Sequence, residues 1–194
     1  ILLEFLKNHC DEIPNAFNTI KNLKNMGYKI GSCSGYSRRL LNVCVEQVKD
    51  NYSPDYNIAS DEVPKGRPYS YMIFANATKL DINHMSQIIK VGDTVSDMIE
   101  GRNAGVWTVG VLSGSNIIGF NKEQWNNLND VEKTIIKLEA IEAMLNAGAD
   151  YVIDAITDLP ELINEINLRL TKGDHPGNYT FIPSQPYLIF TPGP

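Results

Sequence analysis

Two carboxylates four residues apart, Asp93 and Asp97, follow a short apolar segment that ends at Gly92. The segment predicts a buried strand, and the spacing places both acids on one side of the first turn of a following helix. Carboxylate oxygens suit a hard cation such as Mg²⁺, which takes water or phosphate oxygens as its other ligands. The sequence therefore predicts a magnesium site with Asp93 as a ligand. For Asp97 an alternative stays open, in which Thr94 caps the helix and Asp97 completes a capping box.

A hydroxyl and a cation follow two other predicted strands. Ser34 lies where a strand turns into a helix, so its hydroxyl and the free backbone N–H groups can contact a phosphate. The alternative is a plain turn in which Ser34 or Ser37 caps the helix. Arg67 precedes Pro68 at a predicted helix start, where a guanidinium can bind a phosphoryl or phosphonyl group through two hydrogen bonds. The alternatives there are a solvated loop arginine, or Lys65 as the anion-binding cation.

These residues lie in a chain that alternates strand and helix patterns, which is typical of a parallel sheet covered by helices. Short apolar segments predict strands at 28–33, 56–59, 87–91, 106–111 and 151–154. Apolar residues at helical spacing predict helices at 15–26, 37–48, 68–80, 95–103, 131–146 and 157–170. The predicted fold class is α/β, a Rossmann-like parallel sheet with helices on both faces. Such sheets bind ligands at the carboxyl ends of their strands.

The domain organisation predicted from the sequence is one core followed by a linker. Residues 1–170 form the core, and from residue 171 onward polar, turn-forming residues and repeated prolines predict a linker that leaves the domain. The start of the sequence has neither an initiator methionine nor the features of a signal peptide. We therefore expect these residues to be the interior of a longer chain.

Composition excludes some function classes. The net charge of −6 argues against a nucleic-acid-binding surface. No apolar run is long enough to span a bilayer, so no membrane partner is predicted. The three cysteines are odd in number and lack CxxC spacing, which favours reduced thiols in a cytoplasmic protein.

The order of hydroxyl, cation and acid pair resembles the haloacid dehalogenase superfamily. Ser34 matches the second motif of that superfamily, Arg67 the third, and Asp93 with Asp97 the fourth. Within the superfamily the sequence is most similar to the phosphonoacetaldehyde hydrolases. The run from Val91 to Gly105 is the specific part of this similarity, which extends over about residues 13–165.

The resemblance implies hydrolysis of the carbon–phosphorus bond of phosphonoacetaldehyde to acetaldehyde and phosphate, with Mg²⁺ as cofactor. It implies that Asp93 ligates Mg²⁺ and that Asp97 keeps the metal site in order. Arg67 would bind the phosphonyl oxygens, and Ser34 would supply the hydroxyl that the family usually takes from threonine. Tyr36 would line the substrate site. A small phosphonate is thus the implied substrate, in the breakdown of 2-aminoethylphosphonate.

The sequence departs from the family because no Asp-x-Ala or Asp-x-Asp signature precedes Ser34 and no cap segment is present. The family's nucleophilic aspartate lies on a first strand between the strands that end at Ser34 and Asp93, and its Schiff-base lysine lies in the cap. We therefore expect the first strand and the cap domain upstream of residue 1, and we assign neither role here. We also expect a fragment of this kind to be inactive alone.

Residues 185–194 resemble the start of 2-aminoethylphosphonate–pyruvate transaminase, an enzyme that makes phosphonoacetaldehyde. A fused or separate transaminase is therefore a predicted partner, together with a second copy of the chain in a homodimer. Two alternative functions stay open. One is another haloacid-dehalogenase-type phosphatase acting on a small phosphate ester, in which lysine usually replaces Arg67. The other is a receiver-like Mg²⁺-binding signalling domain, in which Ser34 and Arg67 would have no role.

Overall fold

Parallel strands form two separate sheets in the computed structural model, which describes residues 2–6, 10, 12–177 and 189–190. In the smaller sheet, β1 (Gly31–Ser34) pairs with β2 (Tyr56–Ala59). The larger sheet has the order β3-β4-β5-β6, formed by Ile89–Gly92, Trp107–Val111, Tyr151–Ile153 and Ile189–Phe190. Every pair of neighbouring strands is parallel, as the alternation of strand and helix patterns predicts.

Helices connect the strands and cover the sheets. In chain order, α1 to α8 span Leu2–Leu6, Ala16–Asn25, Arg38–Val48, Tyr71–Lys79, Val95–Ala104, Lys122–Asn127, Asp130–Asn146 and Leu159–Thr171. Side-chain caps start three of them, from Thr94, Asn121 and Asn129. Helix α5 ends at Gly105, whose φ of 70° is the left-handed conformation that glycine adopts without strain.

The core lies on both faces of the larger sheet. On one face Trp107, Val109 and Val111 of β4 pack with α2 and α8. On the other face Val152 of β5 packs with α5 and α7, around the fully buried Met144. The predicted α/β fold with helices on both faces is therefore confirmed.

The predicted start of α4 is wrong. Proline is common in the first turn of helices, which favoured a helix from Pro68. In the structure Tyr69 N donates to Gly66 O at 3.1 Å, which closes a turn, and the first helical bond runs from Phe74 N to Ser70 O. Arg67 therefore lies in a loop, before a cis peptide bond to Pro68, and not at a helix start.

A cavity of about 690 Å³ separates β1 from β3. Within the described residues no hydrogen-bonded pairing joins these two strands, which belong to different sheets. The cavity is lined by both strands and by apolar side chains that include Leu23 of α2, Trp107 of β4 and Ile163 of α8. Absence of direct pairing between β1 and β3 agrees with the expectation that another strand belongs between them.

The segment after α8 stays close to the core as far as it is described. Arg169 of α8 forms an ion pair with Asp174 at 2.6 Å, and Gly177 N donates to Asp150 Oδ1 at 2.8 Å. The predicted linker from residue 171 onward stays a prediction. Most of the tail that resembles a transaminase lies outside the described residues, apart from strand β6.

In the part of the chain that the structure describes, none of the helices has the length and apolar character needed to cross a membrane.

Candidate active site

Arg67 connects the two sheets at one end of the cavity. Its Nη2 donates to the carbonyl oxygen of Cys33 in β1 at 2.6 Å. Its Nε lies 3.1 Å from Oδ1 of Asp97, at the start of the helix that follows β3. Arg67, Asp93 and Asp97 all line the cavity. The structure therefore brings together the cation and the acid pair singled out in the sequence.

Asp93 follows the carboxyl end of β3 and is half-buried. Its Oδ2 accepts a long hydrogen bond of 3.3 Å from Asn116 N, and its carbonyl oxygen accepts one of 2.8 Å from the Ser115 hydroxyl. No described residue donates a hydrogen bond to Oδ1. This carboxylate is thus held in place by the loop after β4 while one oxygen stays available to a cation.

The donor set fits a partly hydrated Mg²⁺. Among the described residues there is no cluster of three or more histidine, cysteine, aspartate or glutamate side chains that could enclose a metal ion. Mg²⁺ sites that act on phosphates commonly use only one or two carboxylates, with water and substrate oxygens as the remaining ligands. Asp93, which lines the cavity and is half-buried, fits that kind of site as a single carboxylate ligand.

Asp97 forms the capping box that the sequence left open. Its Oδ2 accepts from Thr94 N at 3.3 Å, and Asp97 N donates to Thr94 Oγ1 at 3.1 Å. The Thr94 hydroxyl also donates to Oδ2 at 2.6 Å. Gly92 makes this packing possible, because a Cβ there would overlap the Asp97 side chain. Asp97 is 2% exposed, so the acid is part of the fold as well as of the site.

Two residues missed by the sequence analysis, Lys90 and Glu100, complete a buried charge cluster with Arg67 and Asp97. Lys90 Nζ lies 2.9 Å from Asp97 Oδ1 and 2.8 Å from Glu100 Oε2. Arg67 Nε lies 3.3 Å from the same Glu100 oxygen. Two features of the sequence could have indicated this cluster. Lys90 is a charged residue inside a predicted buried strand, and Glu100 follows Asp97 by three residues on the same helix face.

The cluster keeps Asp97 ionised. Burial alone would raise the pKa of this carboxyl, but Lys90, Arg67 and the Thr94 hydroxyl lower the pKa below its usual value. Cys33, whose sulfur lies 3.3 Å from Asn76 Nδ2, is different. Burial raises the pKa of its thiol, so Cys33 stays protonated and packs as a small hydrophobe.

Ser34 and Tyr36 lie beside this site at the end of β1. The Ser34 hydroxyl oxygen accepts from Tyr36 N at 3.1 Å, which leaves its O–H free to donate. The Tyr36 side chain is exposed, and its carbonyl oxygen accepts from Ser60 N at 3.0 Å. Neither residue is among the described residues that line the cavity. Their substrate-binding roles stay predictions.

The competing cation, Lys65, points elsewhere. Its Nζ lies 4.6 Å from the centre of the Tyr69 ring, an arrangement that satisfies the charge by a cation–π contact. Among the described residues that line the cavity, Arg67 and Lys90 are the cations next to the acid pair, and Lys65 does not line it.

The chain is similar to known proteins over most of its length. Residues 3–111 match the family described as haloacid dehalogenase-like hydrolase. A bifunctional phosphonoacetaldehyde hydrolase/aminoethylphosphonate transaminase from Clostridioides difficile is 37% identical over the whole chain, which covers 30% of that protein. A phosphonoacetaldehyde hydrolase from Pseudomonas fluorescens SBW25 is 40% identical over 90% of the chain and 64% of its own length.

A solved structure is also similar. The crystal structure of a phosphonoacetaldehyde hydrolase-like protein from Oleispira antarctica superposes with a TM-score of 0.85 at 32% identity. The match covers 90% of this chain and 63% of that protein. The chain thus spans less than two thirds of the length of these relatives. The predicted resemblance is confirmed, and the chain belongs to the haloacid dehalogenase-like hydrolase family.

Proposed function

We propose that this chain supplies the anion-binding and metal-binding part of an enzyme that hydrolyses phosphonoacetaldehyde to acetaldehyde and phosphate. The observation that carries the proposal is Arg67, whose guanidinium is held between the β1 carbonyl and Asp97 and lines the same cavity as Asp93. Curated relatives that are 37–40% identical bear the name phosphonoacetaldehyde hydrolase, which supports this substrate.

We expect two positive charges to bind the substrate, the Arg67 guanidinium and Mg²⁺. Arg67 Nη1 makes no hydrogen bond to a described residue, so it can meet a phosphonyl oxygen while Nη2 stays anchored on Cys33. Asp93 would hold Mg²⁺, which would offset the negative charge that builds up on the phosphonyl group. The Ser34 O–H can donate a further hydrogen bond to the same group. Asp97 keeps the guanidinium in place by its charge.

In the overall reaction the carbon–phosphorus bond breaks and water adds across it. The water oxygen ends on phosphorus as phosphate, and a proton ends on the carbon of acetaldehyde. A Schiff base to the aldehyde, implied by the family, would accept the electron pair of the breaking bond. We assign the nucleophile and the Schiff-base lysine to no residue of this sequence.

We also propose a partner enzyme, a transaminase. The relative from Clostridioides difficile aligns with the whole chain and carries a transaminase activity in its name, which supports a fused or partner transaminase. Such an enzyme would deliver phosphonoacetaldehyde directly to this site. A homodimer and a cytoplasmic location stay predictions.

The direct test is turnover of phosphonoacetaldehyde by the natural full-length protein. We expect acetaldehyde and phosphate in equal amounts in the presence of Mg²⁺, and no product after metal removal with EDTA. Acetaldehyde is followed by NADH oxidation with alcohol dehydrogenase. Phosphoglycolate and a hexose phosphate, tested in parallel, cover the alternative of a phosphatase. Faster turnover of either phosphate ester than of phosphonoacetaldehyde would contradict the proposed substrate.

Replacing Arg67 with lysine should raise KM for phosphonoacetaldehyde on the order of tenfold or more. Lysine keeps the charge, but one ammonium cannot contact Cys33 O, Asp97 and a phosphonyl group in the planar arrangement of a guanidinium. Steady-state kinetics of Arg67→Lys and of the matched control Lys65→Arg would measure this. We expect the control to behave like the parent, because Lys65 contacts Tyr69. An unchanged KM in Arg67→Lys would remove Arg67 from the anion site.

A further inference from the structure

The four charged side chains of the buried cluster form a ring in which positive and negative groups alternate. Lys90 Nζ and Arg67 Nε each lie within 3.3 Å of the same two oxygens, Asp97 Oδ1 and Glu100 Oε2. The ring therefore contains two cations and two anions, and its formal charge is zero. Because both cations contact the same two carboxylates, removing one cation strengthens the electrostatic attraction of the carboxylates for the other.

The members differ in how firmly the fold holds them. Lys90 lies on β3, and Asp97 and Glu100 lie on α5, which packs directly on that strand at Gly101. Arg67 lies in the loop before α4. Its side chain is 24% exposed, whereas those of the other three are at most 8% exposed. Asp97, Glu100 and Lys90 thus form a fixed unit, which Arg67 contacts from a loop.

Glu100 depends on this ring for its charge balance. Its side chain is fully buried, and Oε1 has no hydrogen-bond partner in the described part of the chain. A buried carboxylate without compensation is costly. If Lys90 were absent, Arg67 would be the one described cation left beside both Asp97 and Glu100. The guanidinium would then be drawn toward α5 and away from the cavity.

We propose that Lys90 is a positioning residue, which offsets one of the two negative charges of Asp97 and Glu100. It thereby leaves Nη1 of Arg67 available to bind an anion. This inference rests on the proposed function only in that Arg67 binds the phosphoryl or phosphonyl anion. The side chain of Lys90 is 8% exposed and its Nζ contacts Asp97 and Glu100, so this role needs no contact with the substrate. Its contribution comes from charge balance within the ring, so removing one opposite charge should compensate for its loss.

The test measures binding of inorganic phosphate to the natural full-length protein with Mg²⁺, by isothermal titration calorimetry. Lys90→Met keeps the length of the side chain and removes its charge, and it should weaken phosphate binding about tenfold or more. The double variant Lys90→Met/Glu100→Gln leaves Arg67 with Asp97 as a balanced pair. It should bind phosphate within about threefold of the parent. Thermal unfolding of each variant separates this role from a purely structural one, in which Lys90→Met would lower the melting temperature through the uncompensated Glu100 but leave the phosphate affinity of the folded protein unchanged.

Two further variants complete the design. Glu100→Gln alone leaves the ring with excess positive charge and should not weaken phosphate binding, a result that does not require Lys90→Met to fold. Lys137→Met breaks an exposed pair with Asp154, at 2.7 Å, and serves as the matched control that should match the parent. The inference is overturned if the parent does not bind phosphate or if Lys90→Met binds like the parent. It is also overturned if the double variant is not rescued or if Glu100→Gln weakens binding tenfold.

The outcome is separable from that of the proposed function. A protein that shows this phosphate pattern but does not cleave phosphonoacetaldehyde would keep the role of Lys90 and refute only the substrate. Conversely, turnover of phosphonoacetaldehyde with phosphate binding unaffected in Lys90→Met would keep the function and refute the role of Lys90.

Discussion

Replacing Asp93 with alanine is expected to abolish Mg²⁺-dependent turnover while the fold stays intact. The carboxylate would be the protein's ligand to the metal, so its loss removes the charge that holds Mg²⁺ beside the substrate. Its structural role is small, because the side chain accepts one long hydrogen bond, from Asn116 N at 3.3 Å. Loss of that bond should cost about 1 kcal/mol or less. We expect activity to fall by more than a hundredfold and the melting temperature to change by only a few degrees.

The experiment combines Mg²⁺ titrations of activity with thermal unfolding. Asp93→Asn, which keeps the shape and one neutral oxygen, should retain a trace of activity that rises at high Mg²⁺ concentration. Asp154→Ala is the matched control, because it removes an exposed carboxylate that pairs with Lys137 on the surface. Turnover close to the parent value in Asp93→Ala would remove this residue from the metal site.

The sequence predicted the regular part of the fold because that part depends on local patterns. Strand β2 has the predicted bounds, and β3, β4 and β5 differ by at most two residues at each end. Helices α1 and α6 and the two-residue strand β6 were missed, because so few residues give no hydrophobic period to detect. The start of α4 was misplaced because the turn from Gly66 to Tyr69 overrides the preference of proline for a first helical turn.

The site was predictable where neighbouring residues determine it. Asp93 and Asp97 are brought together by the strand end and the first turn of α5, and both features are visible in the sequence. The roles of Lys90 and Glu100 became apparent only in the structure, because Glu100 of α5 contacts both Lys90 of β3 and Arg67 in a distant loop. The capping box and the ion pairs of Asp97 exist together. The two interpretations of this residue therefore do not exclude each other.

A polypeptide of residues 1–194 alone is expected to show no hydrolase activity and to be marginally stable or prone to aggregate. Strands β1 and β3 line the same cavity, and no hydrogen-bonded pairing joins them within the described residues. Unpaired strand edges bind other chains when they are exposed, and unpaired backbone groups cost about 1–3 kcal/mol each when they are buried. Among the described residues, Arg67 connects the two sheets near the site through Cys33 O and Asp97.

The same geometry predicts what restores the protein. Fusing ahead of residue 1 whatever part of the Pseudomonas fluorescens relative precedes the stretch aligned with this chain should give a soluble protein with phosphonoacetaldehyde hydrolase activity. The family resemblance implies that this part carries the strand that pairs with both β1 and β3, together with the attacking aspartate. It also implies that the imine-forming lysine comes from the same part.

A fusion in which only that aspartate is replaced by asparagine is the matched control, because it should fold equally well and remain inactive. Solubility, amide hydrogen exchange of β1 and β3, and acetaldehyde release would measure the outcome. Protection of both strands without activity would contradict the proposed catalytic roles but support a strand between β1 and β3. Activity of residues 1–194 without any addition, or equal protection of β1 and β3 in the unfused polypeptide, would show that no strand is needed between the two sheets.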